Sequence, residues 1–232
     1  MRYGCLLLIL MLLACDDKPI GIDLGTDFFP LRTGRQWSYS IDKTTYSYLN
    51  NPAEQHYELN IKVADSLITD GSTTYSLIIS TRNSSTEQWQ IQESWSARIF
   101  GNQVIQNESN INLVKLIFPV GPTTSWDGNQ YNNEPPFLEN YQATPNQLLC
   151  RIENYNQPKE LEGGLNFERT LTVVVSNLSD PIIGQDLQKE TYARGVGLIQ
   201  KEVSQVEFCN QGNCTGLRQG VRYIQTLTSY VP

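Results

Sequence analysis

Apolar residues recur at every second position along much of this chain, and that period admits sheet and little else. Trp37, Tyr39 and Ile41 fall on one side of an extended segment, with Ser38, Ser40 and Asp42 on the other. Tyr57, Leu59, Ile61 and Val63 alternate in the same way with His56, Glu58, Asn60 and Lys62. Such alternation marks strands with one buried face. Turn signals divide the pattern at Asn50-Asn51-Pro52, Asp70-Gly71, Asn83-Ser84-Ser85, Phe100-Gly101-Asn102, Gly121-Pro122 and Asp127-Gly128. Further strands are expected near 73–81, 86–99, 111–118, 148–155, 167–176, 192–208 and 220–230. Nothing between them sustains a helical period. The expected fold is therefore all-β with little helix: a single antiparallel domain, closed as a barrel or half-barrel or folded as a sandwich. Those forms bury one face and manage the strand edges.

The first residues follow a different rule. Arg2 supplies a positive start, and Leu6 through Leu13 form an apolar run too short to span a bilayer but of the length of a signal core. Leu12-Leu13-Ala14-Cys15 resembles the bacterial lipobox, in which cleavage before the cysteine exposes it for acylation. An ordinary signal peptide with a chance cysteine is the plain alternative. On the lipobox reading residues 1–14 are the signal peptide, 15–27 the lipidated N-terminus and tether, and 28–232 the all-β domain. Each buried methylene contributes ~0.8 kcal/mol, so several acyl chains anchor durably without a transmembrane helix. Asp16 and Asp17 read two ways: as an inner-membrane retention signal, or as the acidic export signal of Bacteroidetes-type surface lipoproteins. The body of the chain favours the second, which places the protein at the outer membrane, on the cell surface.

Loss of Arg2 with the leader takes the formal charge from −7 to −8, spread without a long block of either sign. No basic footprint for nucleic acid exists. Of the five cysteines, Cys5 leaves with the signal and Cys15 takes lipid. Cys209 and Cys214 flank an Asn-Gln-Gly-Asn turn and are expected to pair in an oxidising compartment, leaving Cys150 as a small buried hydrophobe. Zinc would need further ligands, and the chain has one histidine. No metal and no cofactor are expected apart from the covalent lipid on Cys15.

Three stretches, "FFPLRTGRQWSYSI", "FPVGPTTSWDGNQYN" and "YARGVGLIQKE", resemble elements of uncharacterised Bacteroidetes-type secreted lipoproteins. The resemblance implies surface location and an all-β domain. It implies no chemistry.

Catalytic signals are weak throughout, and no catalytic residue is assigned. His56 lies on the polar side of its strand without a nucleophile motif beside it. Gly195-Val196-Gly197 lacks the rest of a phosphate loop and reads as a bend or close approach in a long strand. The oxygen-rich run Asp127–Asn132 lacks the rhythm of a calcium loop and reads as an Asp-Gly turn anchored by Trp126. Glu93 stands out because Trp89, Ile91, Glu93, Trp95, Ala97 and Ile99 share parity, which sets a carboxylate in an apolar row. Either it faces inward and lines a wet pocket, or a bulge near Ser94 turns it outward. Trp89, Glu93 and Trp95 are accordingly the candidate ligand-binding residues. The leading expectation is a non-enzymatic lipoprotein that binds an envelope protein or an amphipathic or glycan ligand. An envelope scaffold without small ligand and a carboxylate-dependent glycan hydrolase are the alternatives.

Overall fold

The computed structural model describes residues 23–48, 50–135, 137–138, 148–209 and 216–232. Twelve strands follow one another: β1 (Gln36–Ser47), β2 (Asn50–Thr69), β3 (Ser72–Arg82), β4 (Gln90–Phe100), β5 (Gln103–Glu108), β6 (Ile111–Ile117), β7 (Ser125–Asp127), β8 (Leu149–Glu160), β9 (Asn166–Asp180), β10 (Gly184–Ala193), β11 (Gly197–Phe208) and β12 (Leu217–Val231). They pair antiparallel in the order β6-β5-β4-β3-β2-β1-β12-β11-β10-β9-β8-β7, and the sheet curls into a nearly closed barrel. β1 and β12 lie side by side in the middle of that order, and β6 and β7 meet at a seam. Across the seam the Val114 amide donates to the Gly128 carbonyl at 2.9 Å. The indole of Trp126 donates back to the Val114 carbonyl at 2.7 Å. The Asp127-Gly128 turn holds this geometry, because the Asp127 carboxylate accepts from the amides of Asn129 and Leu148 at 2.9 and 3.0 Å.

The all-β expectation agrees with this architecture, and a one-turn 3₁₀ segment, Thr26–Phe28, is the helical exception among the described residues. Several local expectations differ, and β5 and β7 lie outside every stretch expected as strand. The stretch expected as one strand over 192–208 breaks into the β10–β11 hairpin, because Gly195 and Gly197 take φ of 75° and 101° and reverse the chain. Asn50 to Pro52 is strand, with the reversal just before it. Pro52 is tolerated there because β2 pairs with β3 only from Glu58 onward, which leaves the proline on a free edge. Strand β10 gave no apolar alternation, because its inward row begins Asp186, Gln188 and Glu190.

Inside the barrel Trp37, Tyr39, Ile61, Leu77, Ala97 and Ile199 belong to one apolar cluster. Phe28, Val114, Phe118, Trp126, Ile152 and Tyr192 belong to a second. Phe29 packs against both. Strands β10 and β12 close tightly on β11 where glycine leaves room: a Cβ on Gly184 or Gly220 would collide with the backbone oxygen of Val206 or Gln205. The segment before β1 crosses one end of the barrel. Arg194 pairs with both Asp23 and Asp27, the Gly195 amide donates to the Asp27 carbonyl at 2.8 Å, and the Val120 amide donates to the Leu24 carbonyl at 3.1 Å. Residues 23–27, read from sequence as the end of the tether, are thus packed on the barrel by these contacts.

Candidate functional site

Between the two apolar clusters the barrel holds charge. Lys115 on β6 reaches Glu190 on β10 at 2.6 Å and Glu108 on β5 at 3.1 Å. Lys201 on β11 lies 3.4 Å from the same Glu190 oxygen. The other Glu190 oxygen accepts the Tyr192 hydroxyl at 2.5 Å, and Gln106 donates to Glu108 at 3.0 Å. Glu190 and Lys115 retain only 4% and 9% side-chain exposure, so these charges are largely out of water. A buried ion is costly unless it is paired and hydrogen-bonded, and here two ammoniums face two carboxylates with no net charge.

The titration of the cluster follows from that balance. Burial alone would raise the Glu190 carboxyl, but Lys115 and Lys201, with hydrogen bonds from Lys115 and Tyr192, outweigh it and hold it at about 2. Burial would likewise lower Lys115, yet Glu108 and Glu190 raise it above its ordinary value. Lys201 is raised too, its desolvation outweighed by Tyr223, Glu108 and Glu190. Burial, and then Glu190, push the Tyr192 hydroxyl well up. Glu190, Lys115 and Lys201 therefore keep their charge through neutral pH.

A cavity of about 70 Å³ adjoins the cluster, bounded by Phe29, Leu31, Trp37, Trp95, Gln106 and Gln225 as well as the charged groups. That space suits a few ordered waters, each needing roughly 10–15 Å³, and falls well below the ~300 Å³ at which small-molecule pockets begin. The buried indole nitrogen of Trp95 finds no acceptor among the described residues; a water in this cavity is the natural partner for such a group.

The three residues singled out from the strand pattern do not come together. Glu93 keeps step with Trp95 and Ala97 and stands opposite Ile79, but it sits at the rim, where its carboxylate accepts from Ser109 at 2.6 Å, and it does not line the cavity. The bulge lies at Gln92 rather than near Ser94, and it throws Ile91 outward to 72% exposure. Trp89 precedes β4 and stacks under the Arg82 guanidinium, 4.4 Å from the ring centre. Among the described residues the interior carboxylates are Asp186, Glu190 and Glu108, of which the last two form the ion cluster. Their signal was hidden, because the polar inward row of β10 reads as a solvated segment, and the pairing of β5, β6, β10 and β11 is not written in any local spacing. His56 faces solvent as expected, its ring Nδ1 2.8 Å from Asp42. Cys150 is a buried free thiol pushed up to about 12 by desolvation and then by Glu190. Cys15, Asp16, Asp17 and Cys214 lie outside the described residues, and with them the proposed anchor and one half of the Cys209–Cys214 pair.

The larger concavity is on the outer face. Cross-strand pairing sets His56, Asp42, Ile224, Glu202 and Lys189 in one row, and Glu54, Thr44, Arg222, Ser204 and Leu187 in the row two residues away. Tyr223, in the row between, turns inward to hydrogen-bond Lys201. The two outward rows line an open groove of about 780 Å³. Arg222 is held there by Ser204 and Gln185 at 3.1 and 3.2 Å and lies over the Tyr46 ring.

The stretches that resemble secreted-lipoprotein elements converge in space. Trp37 of the first donates to the Val196 carbonyl of the third at 2.6 Å, and Arg35 to the Gly195 carbonyl at 2.9 Å. Phe29 and Tyr192 pack with tilted rings whose centres are 6.0 Å apart. The second stretch supplies Phe118, Val120 and Trp126 to the cluster that also holds Phe28 and Tyr192.

No family profile matches the chain, and no curated protein matches it. Among solved structures it is similar to a candidate exported protein with a YmcC-like fold from Bacteroides fragilis, at 11% identity and a TM-score of 0.41, over 88% of this chain and 99% of that one. It is also similar to a candidate lipoprotein from Parabacteroides distasonis, at 13% identity and a TM-score of 0.39, over 88% and 98% of the two chains.

Proposed function

We propose that the chain is a lipid-anchored lipoprotein of the outer membrane, displayed on the cell surface, whose barrel engages a macromolecular envelope partner on its outer face without catalysis. The observation that carries this reading is the filled interior. A cavity of about 70 Å³ beside a neutralised ion cluster leaves no room for an amphipathic ligand, which turns the binding role to the outer groove. That groove offers Asp42, Glu54 and Glu202 beside Lys189 and Arg222, with Ile224 exposed among them. Alternating charge around an apolar centre suits a polar partner surface. The hydrolase alternative gains no support, since Glu190 is held ionised and is too acidic to donate a proton near neutral pH, while the space beside it would not admit a sugar ring. The anchor reading rests on Leu12-Leu13-Ala14-Cys15 and the acidic pair that follows it.

Fatty-acid labelling of cells that produce the parent chain or Cys15→Ser tests the anchor: label is expected in the parent alone. Photo-crosslinking from position 224 in intact cells tests the groove. One discrete envelope adduct is expected, lost in Arg222→Glu. Absence of any adduct at 224, or an adduct indifferent to Arg222, would overturn the groove reading.

A further inference from the structure

The end of the barrel where the chain enters carries apolar side chains on two of its projecting hairpins. Antiparallel alternation places the β2–β3 turn, the β4–β5 turn, the β10–β11 turn and the C-terminus at the end crossed by residues 23–31, where Arg32 donates to the Pro232 carbonyl at 2.8 Å. The β2–β3 arm exposes Leu67 and Ile68 at 69% and 72%, and the β4–β5 hairpin exposes Ile99 and Phe100 at 38% and 53%. The hairpins are neighbours: Leu67 stands opposite Thr74, and Thr74 opposite Arg98. At the other end Tyr48 and Ile182 are exposed on separate connections, and Ile91 and Leu149 at the starts of β4 and β8, which are not neighbours in the sheet.

We propose that this end is a membrane-facing surface, and that Leu67, Ile68, Ile99 and Phe100 rest in the headgroup region of a lipid bilayer. The proposal rests on the lipid-anchor reading above, and the length of the tether strengthens it. Seven residues lie between Cys15 and Asp23, so the eight Cα steps from one to the other span at most about 28 Å. Asp23 is itself pinned to the barrel through Arg194. The entry end is therefore held close to whatever holds the cysteine, and the apolar tips lie on it. Asp65 and Asp70 flank the tip of the β2–β3 arm, which limits the depth to the interface. Arg98, 5.2 Å above the Phe100 ring, is placed to extend its guanidinium to phosphates while its stem lies along apolar surface. A groove of about 510 Å³ between Pro30 and Leu31 on one side and Thr73 and Ile99 on the other opens at the same end. In this orientation the partner groove, which reaches toward the far end of β1 and β2, is displayed away from the bilayer.

The lipidated full chain, reconstituted into phosphatidylethanolamine–phosphatidylglycerol vesicles, supplies the test. Nitroxide labels are placed in turn at Ile68→Cys, Phe100→Cys and, at the opposite end, Tyr48→Cys, with the parent chain carried through labelling as background. Labels at 68 and 100 are expected to collide several-fold more with oxygen, which concentrates in lipid, than with an aqueous nickel chelate; the label at 48 is expected to show the reverse. Protein that floats with the vesicles while all three labels are equally water-accessible overturns the docking surface and leaves the anchor standing. Protein that fails to float overturns the anchor, and the orientation with it.

Discussion

Replacing Lys115 by Met removes the ammonium that joins Glu190 to Glu108 and leaves the interior one charge negative. Glu190 keeps Lys201 at 3.4 Å and the Tyr192 hydroxyl at 2.5 Å, while Glu108 keeps only Gln106 at 3.0 Å among the partners seen at that carboxylate. Removing one member of a buried pair costs about 3–5 kcal/mol. The Glu190 carboxyl, displaced from 4.5 to about 2, points to the same scale: a shift of that size corresponds to on the order of 3 kcal/mol. Against a net stability of roughly 5–15 kcal/mol this is a large loss, and for a chain of this length it lowers Tm by about 10 °C. Urea unfolding followed by tryptophan fluorescence measures it at pH 7. Lys115→Met/Glu190→Gln, which restores neutrality between Lys201 and Glu108, should recover most of the loss. Because Glu190 is depressed in the folded state, its contribution in the parent is complete above about pH 4.5 and is lost as pH falls toward 2. With Lys115 gone the carboxyl titrates at higher pH, so the gap between parent and Lys115→Met should narrow on acidification. A single variant within 1 kcal/mol of the parent, or a double variant no better than the single, would refute the idea that charge compensation governs this core.

Thiol chemistry separates the remaining cysteines. Non-reducing peptide mapping is expected to find Cys209 joined to Cys214, and Cys150, buried and pushed up to about 12, is expected to resist alkylation until the protein unfolds; Cys150 in a mixed disulfide would contradict both. Trp126→Phe deletes the indole bond across the seam and should cost about 1 kcal/mol. Amide exchange at Val114, which donates to Gly128, should quicken more than exchange at Tyr39 in the middle of the sheet, and equal protection would show that the seam does not depend on the indole.

The fold was legible where inward rows are apolar, as at Trp37, Tyr39 and Ile41 or Tyr57 through Val63. There the period of two and the burial coincide. It was illegible where the barrel puts charge inside. Glu190 sits in a segment, GQDLQKETYA, that any hydropathy reading assigns to solvent, and only long-range pairing reveals that Lys115, from a strand 75 residues earlier, faces it. Glu93 shows the converse. Its parity was read correctly, but the row it belonged to breaks at Gln92, and its position at the rim depends on where β5 ends, which parity does not encode.

The pairing of β1 with β12 sets a condition on when the barrel can form. A chain made N-terminus first offers β1 early, with β2 on one side and an open edge on the other, and the strand that covers that edge, β12, follows all eleven others. Until then the growing chain can build β2 to β6 as one ribbon and β8 to β11 as another, with nothing to join them. The sequence separation of this central contact makes folding slow, on a scale of milliseconds to seconds. Each ribbon keeps an open edge until β12 arrives to lie between β11 and β1, so the barrel's curvature is a property that neither half can acquire alone.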